Sequence, residues 1–221
     1  MNIFIIGSGN MAAAFTKQAV KAGHIVTLMG RNADKANALA KELGASAVTL
    51  ATAAASVAAA DVVLLATGYS DATAALSSLA SLANLAGKTV IDLTNPVSAD
   101  YMALNMALTI GHSSSAAEEI AEAVPVSHVV KAFNTLFAQV LSDGADFGAG
   151  NTASVFYAGD NAAAKERVRS LITSLGFVPV DAGGLNNARY LEPLAGLNIY
   201  LGYGAGLGTA IAPAWLQRAA A

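Results

Sequence analysis

At 221 residues the chain is long enough for one large domain, or for one domain with a small appendage. A net charge of −3 without a basic stripe argues against a nucleic-acid partner, and the absence of cysteine excludes disulfides, thiolate catalysis and cysteine-held metals. With 55% hydrophobic and 12% charged residues much of the chain should be buried, and its apolar start without a basic, cleavable leader makes the expected location cytoplasmic.

The apolar run at 3–6 reads as a strand buried on both faces. It enters a glycine turn, Gly7-Ser8-Gly9-Asn10-Met11-Ala12, after which Met11, Phe15 and Ala19 repeat at helical spacing up to Gly23. A second strand covers 25–29, and Asn32 is placed to cap a helix that buries Ala36, Leu39, Ala40 and Leu43 and ends at Gly44. A weak strand at 45–48 and an alanine-rich helix to Ala60 lead to a strong apolar strand at 62–67. A helix over about 71–85 follows, then a strand at 89–94 that closes on Asn95-Pro96. Residues 97–114 carry no clear pattern. Ser115 to Glu118 reads as a capping box opening a short helix before Pro125. A strand at 129–133 closes on Asn134-Thr135. Strands at 154–158 and 177–180 flank a helix capped by Asp160 and stopped by Gly176, and a last helix starts near Asn187.

This alternation predicts the α/β class, a Rossmann-type, doubly wound, mostly parallel sheet over 1–183 with a small helical C-terminal cap over 184–221. The 25 uncharged residues from Pro193 to Gln217 are long enough to cross a bilayer. Five glycines, each weakening a helix by about 1 kcal/mol relative to alanine, and the bracketing Pro193 and Pro213 favour a packed cap instead. No membrane partner is expected. An apolar, glycine-rich segment of this kind suits a homodimer interface or the roof of a flat substrate site.

The turn fits G-x-G-x-x-A, the fingerprint of a dinucleotide site. Gly7 allows the tight turn, Gly9 lets the backbone approach a pyrophosphate, Ala12 keeps the helix on the sheet, and the helix N-terminus faces the phosphates. Arg31 lies 22 residues beyond Gly9, where an acid would bind the ribose 2′-hydroxyl of NAD. A guanidinium there suits the 2′-phosphate of NADP(H), with Lys35 one helical turn on; the alternative is a solvated pair on an exposed loop. The strand ends Ala66-Thr67-Gly68-Tyr69, Thr94-Asn95-Pro96 and Phe133-Asn134-Thr135 share the carboxyl edge where open parallel sheets bind ligands, and Asn95 and Asn134 offer donors and acceptors for a carboxamide or ribose. His24, His112 and His128 share no motif and read as structural, and Glu118, Glu119 and Glu122 read as a solvated acidic face, with no metal site. No general base or nucleophile stands out, which suits hydride transfer between two bound molecules.

With these motifs in hand, the chain resembles the NADPH-dependent F420 reductases, the coenzyme F420-dependent NADP oxidoreductases. The resemblance rests on Gly7-Ser-Gly-Asn-Met, on Gly30-Arg-Asn with Lys35, and on Val90-Ile-Asp-Leu-Thr-Asn-Pro, Val130-Lys-Ala-Phe-Asn-Thr and the run from Val180 to Glu192. The cytosolic reductase domain of the STEAP metalloreductases is similar too. The resemblance implies an NADP(H)-dependent oxidoreductase that exchanges hydride with a small-molecule redox acceptor, F420 or a flavin. Ser8, Arg31 and Lys35 match positions that hold the 2′-phosphate, with Asn32 beside them. Gly30 departs from the family's usual serine, which removes one phosphate hydrogen bond. The segment Gly9-Asn-Met-Ala12 also resembles pyrroline-carboxylate and imine reductases, whose helical dimerisation domain is longer than the residues after Asp181 allow. A non-catalytic NADPH sensor is the remaining alternative.

Overall fold

A computed structural model describes residues 1–80, 85–98, 108–110, 112–215 and 218. Strands β1 (Asn2–Ile6), β2 (Ile25–Met29), β3 (Ser46–Val48), β4 (Val62–Leu65), β5 (Thr89–Asp92), β6 (His128–Ala132), β7 (Ser154–Gly159) and β8 (Val178–Asp181) form one sheet in the order 3-2-1-4-5-6-7-8. Only the β6–β7 pairing is antiparallel, with Lys131 opposite Ala158. The first six strands have the doubly wound dinucleotide-binding order, whose direction reverses between β1 and β4.

The pattern of β1 explains the layering. Ile3 and Ile5 face one buried cluster with Phe15, Val26, Leu28 and Leu64, while Phe4 and Ile6 face another with Met29, Val57, Val63 and Leu76. A strand that is apolar on both faces can be satisfied only by helices on both sides. These are α1 (Asn10–Lys21), α2 (Ala33–Leu43), α3 (Ala53–Ala59), α4 (Tyr69–Ala80), α5 (Ala116–Ala123), α6 (Ala138–Asp143), α7 (Ala162–Ser174) and α8 (Ala188–Ile199).

Several boundaries follow the local chemistry. Asn32 accepts a hydrogen bond from the Lys35 N–H at the start of α2, and Gly44 closes that helix at φ 71°. Ser115 caps α5 through the Glu118 N–H, but the Glu118 carboxylate turns to the Ser115 hydroxyl and to Arg189, so the reciprocal half of a capping box is not made. Helix α7 corrects an expectation. Asn161 caps it through the Ala164 N–H, whereas Asp160 accepts from Leu185 N and ties down the chain before α8.

The helix expected over 71–85 starts two residues earlier, at Tyr69, and does not include Leu85. The Leu85 carbonyl instead accepts from Lys88 N and the Ser127 hydroxyl, in the turn that feeds β5. Residues 81–84 of that expected helix lie outside the described residues, as do 99–107 and 111 of the unpatterned stretch. Pro193 lies inside α8 and is not a bracket, because the helix begins at Ala188. A π-turn, Tyr200–Gly204, continues it. There Gly202 lies so close to the Phe137 ring that a Cβ would come within 2.5 Å of it.

Candidate functional site

The glycine turn separates two jobs that the motif compresses. Gly7, at φ +137°, donates to Met29 O, and a Cβ on it would stand 2.4 Å from Ala66 O, so the close approach of the chain beyond β1 to the chain beyond β4 itself demands glycine. Gly9 is the N-cap of α1 in extended backbone, with no side-chain cap, and no atom lies within 4 Å of where its Cβ would be. A helix N-terminus with uncapped N–H groups opening onto free space is a place for an anion. Ala12 and Phe15, both fully buried, hold α1 against the sheet. Asn10 opens the helix exposed, and Met11 packs half-buried against the core.

Gly7, Ser8 and Gly9 share a cleft of about 630 Å³ with Arg31, Asn32 and Lys35 from the β2–α2 turn and with Ala66, Thr67 and Gly68 from the end of β4. Ser8 answers the missing serine at position 30. A Cβ on Gly30 would lie 2.7 Å from the Ser8 hydroxyl and 3.1 Å from its Cβ, so the Ser8 side chain occupies the space that a residue-30 side chain would need. The Asn32 side-chain oxygen Oδ1 is committed to Lys35 N, and the Arg31 guanidinium reaches Asp71 on α4.

The other predicted residues sit at neighbouring strand ends outside this cleft's lining. Tyr69 opens α4, and its hydroxyl donates to Glu119; burial and that carboxylate push its pKa up to about 12. Asn95 and Asn134 bind each other, through Asn134 Nδ2 to Asn95 Oδ1 at 3.0 Å and Asn95 Nδ2 to the Asn134 carbonyl at 2.8 Å. Asn134 also donates to Leu191 O, and the Thr135 carbonyl accepts from Asn198. The Pro96 carbonyl accepts from Thr109. Phe133, expected at the end of a strand, is instead in left-handed backbone at φ 63°, fully buried and edge-on to Phe15 at 5.2 Å. A bulky residue held there is strained, and it turns the chain sharply between β6 and Asn134.

Among the described residues, four buried polar atoms at these strand ends have no hydrogen-bond partner: the hydroxyls of Thr67, Thr94 and Thr135 and the side-chain oxygen Oδ1 of Asn134. Buried polar groups are normally paired. Three donor–acceptor hydroxyls and one acceptor suit the ribose and carboxamide of a nicotinamide nucleotide. Together with the open N-terminus of α1 and the cations at β2, they fit an NADP-type dinucleotide.

Sequence reasoning missed the most buried charges. Lys131 on β6 is fully enclosed, with Asp92 Oδ2 of β5 at 2.8 Å, Glu192 Oε1 of α8 at 2.9 Å and the Thr94 carbonyl as its third acceptor. Glu192 in turn accepts from Ala116 N and Ala117 N at the start of α5. A lysine and an aspartate inside otherwise apolar strands were the available signal. The acidic face of α5 is solvated at Glu122, as expected, but not at Glu118 and Glu119, which are half-buried and paired. Glu118 pairs with Arg189 at 2.6 Å, which holds its carboxyl below the usual range, and Glu119 receives Tyr69. His24 accepts from the amino terminus and bonds Ser174, and burial lowers its pKa. Among the described residues no group of three His, Asp or Glu is placed to hold a metal, and no helix is long and apolar enough to cross a membrane.

Comparison with known proteins places these features in context. Residues 2–96 match the model of the family described as NADP oxidoreductase, coenzyme F420-dependent. A crystal structure from Arthrobacter sp. FB24, assigned as an F420-dependent NADP-reductase, is 29% identical, with TM-score 0.82, and the match covers 95% of this chain and 96% of that one. Metalloreductase STEAP3 of Rattus norvegicus is 32% identical over 191 residues, 86% of this chain and 35% of the relative. The chain thus spans about a third of the length of the curated relatives it matches. An imine reductase from Pseudomonas sp. shares the fold at 23% identity and TM-score 0.65, and this chain covers 62% of it.

Proposed function

We propose that this chain, which belongs to the coenzyme F420-dependent NADP oxidoreductase family, transfers hydride between NADP(H) and a flat acceptor of deazaflavin or flavin type. One observation carries the nucleotide half of the reading. The cleft that opens on the bare N-terminus of α1 carries Arg31 and Lys35 at the end of β2, where an NAD site carries an acid; its one lining carboxylate among the described residues, Asp71, comes from α4. Backbone N–H groups of the turn would hold the pyrophosphate, and Ser8, Arg31 and Lys35 would hold the 2′-phosphate. The partnerless Thr67, Thr94, Asn134 and Thr135 atoms would receive the nicotinamide half. NADPH, when bound, supplies a hydride, and reduction of the acceptor takes one further proton from solvent. The chain's own part is to position two planar rings; Tyr69, raised to about 12 and committed to Glu119, is a poor proton donor at neutral pH.

An acceptor screen with F420, FMN, FAD, quinones, ferric chelates and cyclic imines, following NADPH absorbance, tests this reading. F420 or a flavin should turn over fastest. Preferential turnover of cyclic imines favours the imine-reductase alternative, and NADPH binding without turnover favours a sensor. NADPH should bind at least tenfold more tightly than NADH, about 1.4 kcal/mol, and Arg31→Ala should erase most of that preference. Exposed Tyr190, Leu197 and Tyr200 support a homodimer, readable as about twice the chain mass in light scattering.

A further inference from the structure

The Arg31 guanidinium already has a partner. Asp71, in the first turn of α4, meets it with both carboxylate oxygens, Oδ2 at 3.2 Å from NH2 and Oδ1 at 3.3 Å from NH1, and both residues line the same cleft. The two side chains are 86% and 41% exposed, so the pair contributes little to holding the fold together. Its position matters more. A carboxylate that engages two nitrogens of a guanidinium takes the same fork that a phosphate takes. A 2′-phosphate that takes this NH1/NH2 fork of Arg31 displaces Asp71, and the displaced carboxylate then faces a second anion well inside the screening length.

We propose that Asp71 is a nucleotide-selectivity residue, an internal competitor for Arg31 that holds down the affinity for 2′-phosphorylated nucleotides and leaves unphosphorylated ones unaffected. The inference rests on the reading of this cleft as the NADP(H) site. Selectivity is then set by two residues that sequence places on different elements: Arg31 favours the phosphate and Asp71 opposes it. The competition is electrostatic, so added salt narrows its effect.

Calorimetric titration of Asp71→Asn, which keeps the shape and removes the charge, tests this. NADPH and adenosine 2′,5′-bisphosphate should bind roughly five- to tenfold more tightly than to the unmodified protein, and NADH and 5′-AMP within about twofold. In an Arg31→Ala background the same substitution should give less than half of that gain, since the contact it releases is gone. Asp71→Glu, which retains the charge, should show no gain. NADPH affinity in Asp71→Asn within twofold of the unmodified protein, or weaker, overturns the proposal, as does an equal gain for NADH and 5′-AMP. If the unmodified protein binds NADH as tightly as NADPH, and Arg31→Ala changes neither, the reading of the cleft fails and takes this inference with it. A tenfold NADPH preference that Arg31→Ala removes but Asp71→Asn leaves unchanged refutes the inference alone.

Discussion

Replacing Lys131 by methionine should be among the most damaging single changes outside the cleft. Methionine has similar length and keeps the apolar contacts of the stem, so the perturbation is confined to one charge and three donors. Those donors are fully used on Asp92, Glu192 and the Thr94 carbonyl, and all three side chains are at most 3% exposed. The two carboxylates do not suffer equally. Glu192 keeps the Ala116 and Ala117 N–H groups at the N-terminus of α5, whereas Asp92, among the described residues, keeps only the Thr94 N–H. Removing one partner of a buried ion pair costs about 3–5 kcal/mol, a large fraction of the roughly 5–15 kcal/mol that holds a domain together. For a chain of this size each kcal/mol lowers Tm by about 2–4 °C, so the melt should fall by roughly 6–20 °C. Circular dichroism melts and urea titrations, with unchanged m, are the assay. Adding Asp92→Asn should recover part of the loss, because it neutralises the worse-placed carboxylate. A Lys131→Met protein that melts within about 2 °C of the unmodified one, or a double variant no better than the single, refutes the reasoning.

Gly9→Val should fold with a near-normal melt, since nothing lies within 4 Å of the new Cβ, yet lose NADPH binding in calorimetry because that space belongs to the pyrophosphate. Retained binding would show the turn to be structural only. Gly30→Ser should destabilise the protein by about 1–3 kcal/mol through its contact with Ser8, and Ser8→Gly in the same chain should restore the melt; an unaffected single variant would refute the exchange of side chains. His24 has a folded pKa below its ordinary 6.5, so its contribution to stability is complete above that pH and is lost as pH falls through the folded value. Urea midpoints compared between the unmodified protein and His24→Gln should diverge in that direction below pH 6.5, and parallel pH profiles would count against it.

Much of this protein was legible before its structure. The apolar strands read at 3–6 and 62–67 required helices on both faces, though the second ends at Leu65, and glycines at 7, 23, 44 and 176 marked turns where the backbone has positive φ. Asn32 announced α2, and the spacing from Gly9 to Arg31 pointed to residues that line one cleft. These signals are local. A cap, a turn or a two-residue period is decided by neighbours within a few positions, and the strand–turn–helix unit at the N-terminus carries its geometry with it.

What the tertiary structure decided is the pairing of charges and of polar side chains. Asp160 and Asn161 are equally good caps on paper, and only the approach of Leu185, 25 residues on, gave Asp160 another task. Asn95 and Asn134 were read as offering donors and acceptors to a ligand; what the sequence does not show is that the ends of β5 and β6 bind them to each other, 39 positions apart, and leave Asn134 Oδ1 over. Lys131 meets Asp92 across 39 residues, Glu192 meets the α5 backbone across 76, Glu118 meets Arg189 across 71, and Arg31 meets Asp71 across 40. Each depends on strand order and on how α4, α5 and α8 lie against the sheet. A charge finds its partner by distance in space, and periodicity along the chain holds no record of that distance.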